Sequence, residues 1–403
     1  MSARRTPELL APAGDMEKLR FAVAYGADAV YLSGRRFGMR AAAGNFDERE
    51  LAQAVEYCHA RGVRVFVTVN VMPRPGDLPA LPGHIESIDR AGADAVIVAD
   101  PGVLELVRNC APRLRIHVST QANVVNQAAA CAWHRMGASR IVLARELSLE
   151  EIALIRQNTP PELELEVFAH GSMCMAYSGR CVLSNYLAGR DANRGACAQP
   201  CRWNYRVVEE KRPGEYFPVV EDETGTTVFS AQDLCTIEHL RELMDAGVDS
   251  LKLEGRAKTF YYTAVVTNAY RRALDAAARG QAPPPDAVRE LGKVSHREYS
   301  TGFYFGPARQ QYTDDYIREW DVCAAVLSCE PDGRALLRQK NKCAAGDELE
   351  LLAPGRDAVP FRLGALQSET GEAIPAAPHP MMLFKTALPM YAPPLSILRK
   401  KTK

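Results

Sequence analysis

Four stretches of the chain repeat one pattern of apolar and polar positions: "YGADAVYLSG" (25–34), "AGADAVIVAD" (91–100), "MGASRIVLAR" (136–145) and "AGVDSLKLEG" (246–255). In each, a glycine closes a helical segment, a short turn follows, and an apolar run of strand length ends on a polar residue. Glycine suits the position because it accepts a left-handed backbone at low cost. Similar apolar runs lie between the repeats: "ELLAPAG" (8–14), "RVFVTVN" (64–70), "RIHVSTQAN" (115–123) and "ELEVFAHGS" (164–172). That makes eight strand candidates. Helical periodicity separates most of them, over Met16–Tyr25, Asp47–Arg61, Asn126–Met136, Ser148–Gln157 and Asp233–Asp245, and more faintly over 78–91 and 102–109. Short, wholly apolar strands are those of a buried parallel sheet. Eight successive βα units predict an α/β fold of the (β/α)8, TIM-like type. A doubly wound open sheet would carry a glycine-rich phosphate loop after its first strand, and "APAGDMEK" (11–18) is not one.

The last barrel helix is expected from about Lys258 to Ala278. "RGQAPPPDA" (279–287) then reads as a linker, since three prolines cannot continue a helix. Beyond about 290 the pattern shifts to short apolar runs broken by turn pairs such as Asp332-Gly333 and Gly346-Asp347, which predicts a small all-β barrel domain. The division is therefore 1–280 for the barrel and 281–403 for linker and tail. The tail is expected to be separable, to make few contacts through its linker and to assist docking of a substrate.

A barrel of this type carries its site at the carboxyl ends of the strands. Here those ends form a polar ring: Gly14, Ser33 to Arg35, Asn70, Asp100, Gln121 and Asn123, Arg145, His170, and Glu254 to Arg256. After strand seven the expected short loop is replaced by a long insertion, 173–230, on that same face. Loops of such length are usually functional.

Composition adds limits. Of the 403 residues 47% are hydrophobic and 24% charged, and Lys+Arg equals Asp+Glu at 49 each, so no global basic charge points to nucleic acid. The start, "MSARRTPELLAPAGD", lacks the apolar run of a secretory signal, and no stretch approaches the roughly 20 apolar residues of a membrane span. A cytoplasmic protein with reduced thiols is expected. There are 11 cysteines, and four of them fall in the insertion as C-x6-C-x15-C-x3-C: Cys174, Cys181, Cys197 and Cys201. Four thiolates can hold zinc or an iron–sulfur cluster. Only Cys197 and Cys201 have the close spacing usual for zinc, and a cluster's corners lie further apart, so the spacing leans towards a cluster. Cys235 is a fifth candidate, though a cysteine in a core is the simpler reading.

Among the ring residues, His170 has the chemistry of an acid or base, Glu254, Arg256 and Arg145-Glu146 could be ion pairs or an anion site, and Gln121 and Asn123 are uncharged hydrogen-bonders. The sequence contains no H-E-x-x-H, G-x-S-x-G, Walker A or G-x-G-x-x-G motif. A thiol nucleophile working with His170 would leave three of the clustered cysteines unexplained.

Glu166, Phe168, His170, Gly171, Ser172, Met173, Cys174, Cys181 and Ser184 form an E-x-F-x-H-G-S-M-C-x6-C-x2-S motif that resembles the collagenase-like peptidase U32 family. "PELLAPAGD", "YGADAVY", "STQANVVN", "ARELSLEEI", "GACAQPCRW" and "DSLKLEGRAK" extend the resemblance over about 1–280, and the tail resembles the family's C-terminal domain. The likeness is greatest to the branch that hydroxylates the wobble uridine of tRNA to 5-hydroxyuridine, without oxygen. It implies a 4Fe–4S cluster on Cys174, Cys181, Cys197 and Cys201, prephenate as hydroxyl donor, and Arg145 and Arg256 as residues for that dicarboxylate, with His170 and Glu254 in the catalytic set. Other branches act on a 23S rRNA cytidine or on ubiquinone precursors, and the family name itself implies a peptidase. Cys235 departs from the branch pattern and leaves the fourth ligand open. The resemblance also allows a paralogous partner subunit. For an anticodon loop, local cation-plus-aromatic runs are the candidates: Arg202, Trp203, Tyr205 and Arg206, then Arg35, Arg36 and Arg40.

Overall fold

The computed structural model describes residues 6–39, 44–174, 176–203, 206–207, 217–218, 230–307, 310–311 and 316–402. Eight parallel strands close a barrel: β1 (Glu8–Pro12), β2 (Ala29–Ser33), β3 (Arg64–Val69), β4 (Ala95–Val98), β5 (Arg115–Val118), β6 (Arg140–Val142), β7 (Glu164–Ser172) and β8 (Ser250–Leu253). Each pairs with its neighbours in sequence, and β8 pairs with both β7 and β1, which closes the ring. Helices cover the outside. Their starts are written in the sequence: Asp15, Asp47, Asp100, Asn126, Ser148 and Thr259 each accept a hydrogen bond from a backbone N–H of the first turn.

The barrel interior is unusually charged. Strand register puts Glu8 opposite Ser250, Arg140 opposite Glu164 and Glu166 opposite Ser250, all pointing inward. Arg140 Nη1 donates to Glu8 (2.6 Å) and Glu166 (2.9 Å), and Lys252 Nζ donates to the other oxygen of Glu166 at 3.0 Å. Burial alone would push the Glu166 carboxyl up, but Lys252 and Arg140 hold it below the ordinary carboxylate range. A network of this kind is costly to break, because removing one partner strands the others. Glu166→Ala is therefore expected to lower stability by roughly 3–5 kcal/mol in urea unfolding. The native Glu166 contributes its stability above the pKa of an unfolded glutamate and loses it as pH falls through the lower, folded value. The mutant should accordingly show a weaker acid dependence.

Three expectations about elements change. Residues Asp233–Cys235 do not begin a helix; they form a strand antiparallel to Ser172–His170, followed by a 3-10 turn at Ile237–His239 and an α-helix only at Leu240–Asp245. The reason is that β7 outruns both neighbours, so its end offers unpaired backbone to the returning chain. The proline-rich linker turns into a helix at Pro285–Leu291, with proline in the first turn, where no N–H is needed. The segment that follows packs on the barrel: Tyr299–Ser300 extends the sheet beside Asp233–Leu234, and the Tyr304 hydroxyl donates to the Phe168 carbonyl at 2.5 Å.

The tail is an antiparallel half-barrel of eight strands, with Trp320–Cys329 central between Arg334–Gln339 and Ile397–Lys401. It has its own core around Leu337, Leu351, Phe384 and Leu398. It is not loosely tethered. Val322, Ala325, Leu352 and Ile397 join the barrel's outer core. The Tyr25 hydroxyl donates to the carbonyls of Leu352 and Leu395, and fully buried Arg399 binds Glu290 (2.6 Å), Glu350 (2.7 Å) and Tyr261 (3.2 Å). Few-contact attachment is thus corrected: the apolar faces of the last barrel helix, Phe260–Ala278, and of the half-barrel need each other.

Candidate active site

A cavity of about 150 Å³ opens at the carboxyl ends of the strands. Its floor and walls come from the barrel: Tyr31, Thr68, Asn70, Ile97, Ser119, Gln121, Arg145, Phe168, Lys252, Glu254 and Arg256. Its rim is the insertion, through Cys174, Tyr177, Ser178, Gly179, Cys181, Asn193, Cys197 and Cys201. All four clustered cysteines therefore line the same space as Asn70, Gln121, Arg145, Glu254 and Arg256.

Three cations line this space. Arg145, nearly buried, lies 3.7 Å over the Phe168 ring, donates to Ser178 Oγ at 3.2 Å and stands 3.9 Å from Glu254. Arg256 is buried and donates to Thr68 Oγ1 at 3.0 Å. Lys252 rises from Glu166 to sit 4.5 Å from the Tyr31 ring. Glu254 is the one carboxylate lining the cavity among the described residues. The surplus of positive charge lining the pocket suits an anionic ligand, and planar guanidinium groups suit carboxylates. Buried Gln121 Oε1 has no hydrogen-bond partner among the described residues, which leaves an acceptor facing the same space.

The insertion is fastened rather than draped. Met72 N–H donates to the Asn193 carbonyl, Arg194 grips Asp77 with two hydrogen bonds of 2.5 and 3.1 Å, and Arg74 meets Asp191 at 3.1 Å. The hydrogen bond from Arg194 holds the Asp77 carboxyl down at about 2. Inside the loop, Ser184 Oγ accepts from Ala198 N–H and Asn193 Nδ2 donates to the Cys181 carbonyl, tying 181–184 to 193–198. Gly179 (φ +75°) passes so close to Gln121 that a Cβ would lie 3.1 Å from its carbonyl oxygen.

The thiols fit a cluster by chemistry. None of them is in a disulfide. Gln199, in a left-handed turn at φ 57°, donates its N–H to Cys197 Sγ at 3.3 Å, the kind of contact that tunes the sulfur ligands of a cluster. Among the described residues no three His, Cys, Asp or Glu are grouped closely enough to hold a single metal ion. Cys235 stands apart. It lines a different pocket with His239, His296 and Tyr299, and burial pushes its thiol up to about 11.

Other sequence-derived residues fall elsewhere. His170 does not line the cavity. A bulge shifts the register between Phe168↔Lys252 and His170↔Leu253, which breaks the alternation and turns His170 outward. There it lies buried among Tyr262, Tyr270 and Tyr299, with Nδ1 3.3 Å from the Tyr270 hydroxyl, and burial drives its pKa down to about 3. The ring is thus packed behind the barrel wall, outside the cavity. Asn123 also turns away, its amide donating to the Gln121 carbonyl in a left-handed turn. Asp100 caps a helix. Arg35 pairs with Asp47 and Glu50 at the surface, and Arg36 lies over the Phe37 ring. Trp203 is exposed, while Arg40 and Tyr205 and the side chains of Arg202 and Arg206 lie outside the described residues. Lys252 was missed, although the alternation Ser250, Lys252, Glu254 already carries polar groups at every inward position of β8.

The sequence profile of Peptidase family U32 matches residues 14–314, and that of the U32 C-terminal domain matches 318–399. The chain belongs to peptidase family U32. Among U32 relatives, tRNA hydroxylation protein P of Escherichia coli (strain K12) is 37% identical over 92% of this chain and 91% of its own. tRNA hydroxylation protein P1 of Bacillus subtilis (strain 168) is 36% identical over 98% and 95%. A third relative, the 23S rRNA 5-hydroxycytidine C2501 synthase of Escherichia coli (strain K12), is 39% identical over 67% of this chain but only 39% of its own length. No helix among the described residues is long and apolar enough to cross a membrane.

Proposed function

We propose that this U32 protein is an RNA hydroxylase that forms 5-hydroxyuridine at an unpaired tRNA uridine, with prephenate as the hydroxyl donor and a 4Fe–4S cluster held by Cys174, Cys181, Cys197 and Cys201. The observation that carries the reading is the convergence of four thiols and three cations on one small cavity. The near-full-length likeness to proteins named for tRNA hydroxylation supports the substrate class. A cluster bound there would supply redox or Lewis-acid chemistry without oxygen. The chain's own residues do the rest. Arg145 and Arg256 hold the two carboxylates of the donor as charge-assisted pairs, and Lys252 adds positive potential from the floor. Gln121 and Asn70 offer amide groups to the uracil edge. Phe168 and Tyr31 keep water from the floor.

A thiol peptidase gains nothing from this geometry, because the histidine that would serve it is walled off from the thiols by β7. The test is a deletion strain grown anaerobically, with its bulk tRNA nucleosides read by mass spectrometry. The expected result is loss of 5-hydroxyuridine and its derivatives, restored by the wild-type gene. Unchanged nucleosides in a strain without a paralogue, or loss of 5-hydroxycytidine from 23S rRNA instead, would reject the uridine assignment.

A further inference from the structure

Large apolar side chains at the surface are concentrated on the cysteine-bearing loop. Tyr177, Val182, Tyr186, Leu187 and Trp203 are all exposed there, and Tyr186 reaches 86% exposure. Leaving so much apolar surface in water is unfavourable unless something covers it. The short helix Leu183–Ala188 that carries Tyr186 is bonded to the stretch before Trp203 through Ser184 and Ala198, so the two aromatics sit on adjoining parts of one loop. Tyr177 also lines the cavity, so one loop carries both part of the cavity rim and these exposed side chains.

Charge identifies the occupant. In a chain of zero net charge, residues 174–203 carry Arg180, Arg190, Arg194 and Arg202 against Asp191 alone. Arg180 and Arg190 are exposed. Aromatics interleaved with arginines form a surface for stacked bases and phosphates, whereas a protein partner would be expected to meet an apolar centre with less charge. A duplex cannot deliver a base into a closed barrel mouth, so the target must be unstacked.

We propose that the outer face of this loop is the dock for an unpaired RNA loop, with Tyr186 stacking on a base that flanks the target and Arg190 and Arg180 meeting its phosphates. The proposal rests on the RNA-hydroxylase reading and names the contacts that reading leaves open. The test is binding of wild type, Tyr186→Ala, Tyr186→Phe and Arg190→Gln to a synthetic stem–loop RNA with an unpaired uridine-containing loop, and to a fully paired duplex, at several salt concentrations. Wild type should prefer the stem–loop. Tyr186→Ala should weaken that binding about tenfold and Tyr186→Phe should restore it, because stacking needs the ring and not the hydroxyl. Arg190→Gln should reduce the salt slope by about 0.7. Thermal midpoints should not move, since both side chains are solvent-facing. Unaltered RNA binding by Tyr186→Ala and Arg190→Gln, with the wild type still binding, overturns the dock and leaves the hydroxylase standing. The same result with a change in sedimentation assigns the face to a second copy of the chain, which also overturns it. A wild type that binds no RNA, with unchanged nucleosides in the deletion strain, removes both.

Discussion

Anaerobically purified protein is expected to be brown and to lose its iron and acid-labile sulfide when any one of Cys174, Cys181, Cys197 or Cys201 becomes alanine. The four thiols share one cavity rim, and no other cysteine lines that cavity among the described residues. With three thiolates the cluster would lack one corner and be exposed to the open mouth. Modification of tRNA in cells carrying such a variant should fall to the level of the deletion strain. Cys235→Ala is the contrast. Its thiol is held protonated by burial in a separate pocket, so the iron content should stay nearly intact. Removal of bound iron by chelation should silence the wild type in the same way. Stoichiometric zinc with full activity, or a Cys235→Ala protein without iron beside a Cys201→Ala protein that keeps it, would overturn the ligand assignment.

The second large effect is expected at the arginines. Each charge-assisted hydrogen bond to a carboxylate contributes about 1.5–3 kcal/mol, so Arg256→Ala should raise the KM for the dicarboxylate donor by roughly 10- to 150-fold. RNA affinity should change by no more than about twofold, since Arg256 is buried beneath the rim and phosphate contacts set affinity from outside. Arg145→Ala should behave alike and lose, in addition, the packing of the guanidinium on Phe168. Arg256→Lys should not rescue, because an ammonium cannot reproduce the planar fork. Steady-state kinetics with donor and RNA varied separately decides this. A fall in RNA affinity with an unchanged donor KM would move Arg256 from the acid to the RNA.

The two expectations were not equally visible in the chain. The cysteines are, because ligand type and spacing are local properties, and the loop is long enough to gather them wherever the strands lie. The barrel is visible for a similar reason. A glycine-ended helix followed by a buried apolar strand is a local unit, and four such units with four further apolar strands between them leave few ways to bury every strand on both faces. Caps such as Asp47 and Ser148 mark helix starts within four residues of sequence.

What tertiary structure alone decided lies where two distant segments negotiate. His170 stands two residues after inward-facing Phe168, so alternation places it in the cavity; one bulge against β8 sends it behind the wall. A bulge is a mismatch between two paired strands, and neither strand's own pattern records it. The pattern of β8 alone does not say that Lys252 can be buried; Glu166, on the neighbouring strand, supplies the partner that lets it be. Asp233–Cys235 became a strand because β7 left an edge open, and the half-barrel became fixed because Arg399 reaches Glu290 and Tyr261 across the interface. The sequence by itself thus determined the repeating units, the helix caps and the thiol set, all within the reach of local backbone and side-chain chemistry. The direction of each side chain at the barrel mouth, and the pairing that makes its buried charges tolerable, came only from strand register and long-range packing, where free energy depends on residues more than 80 positions apart.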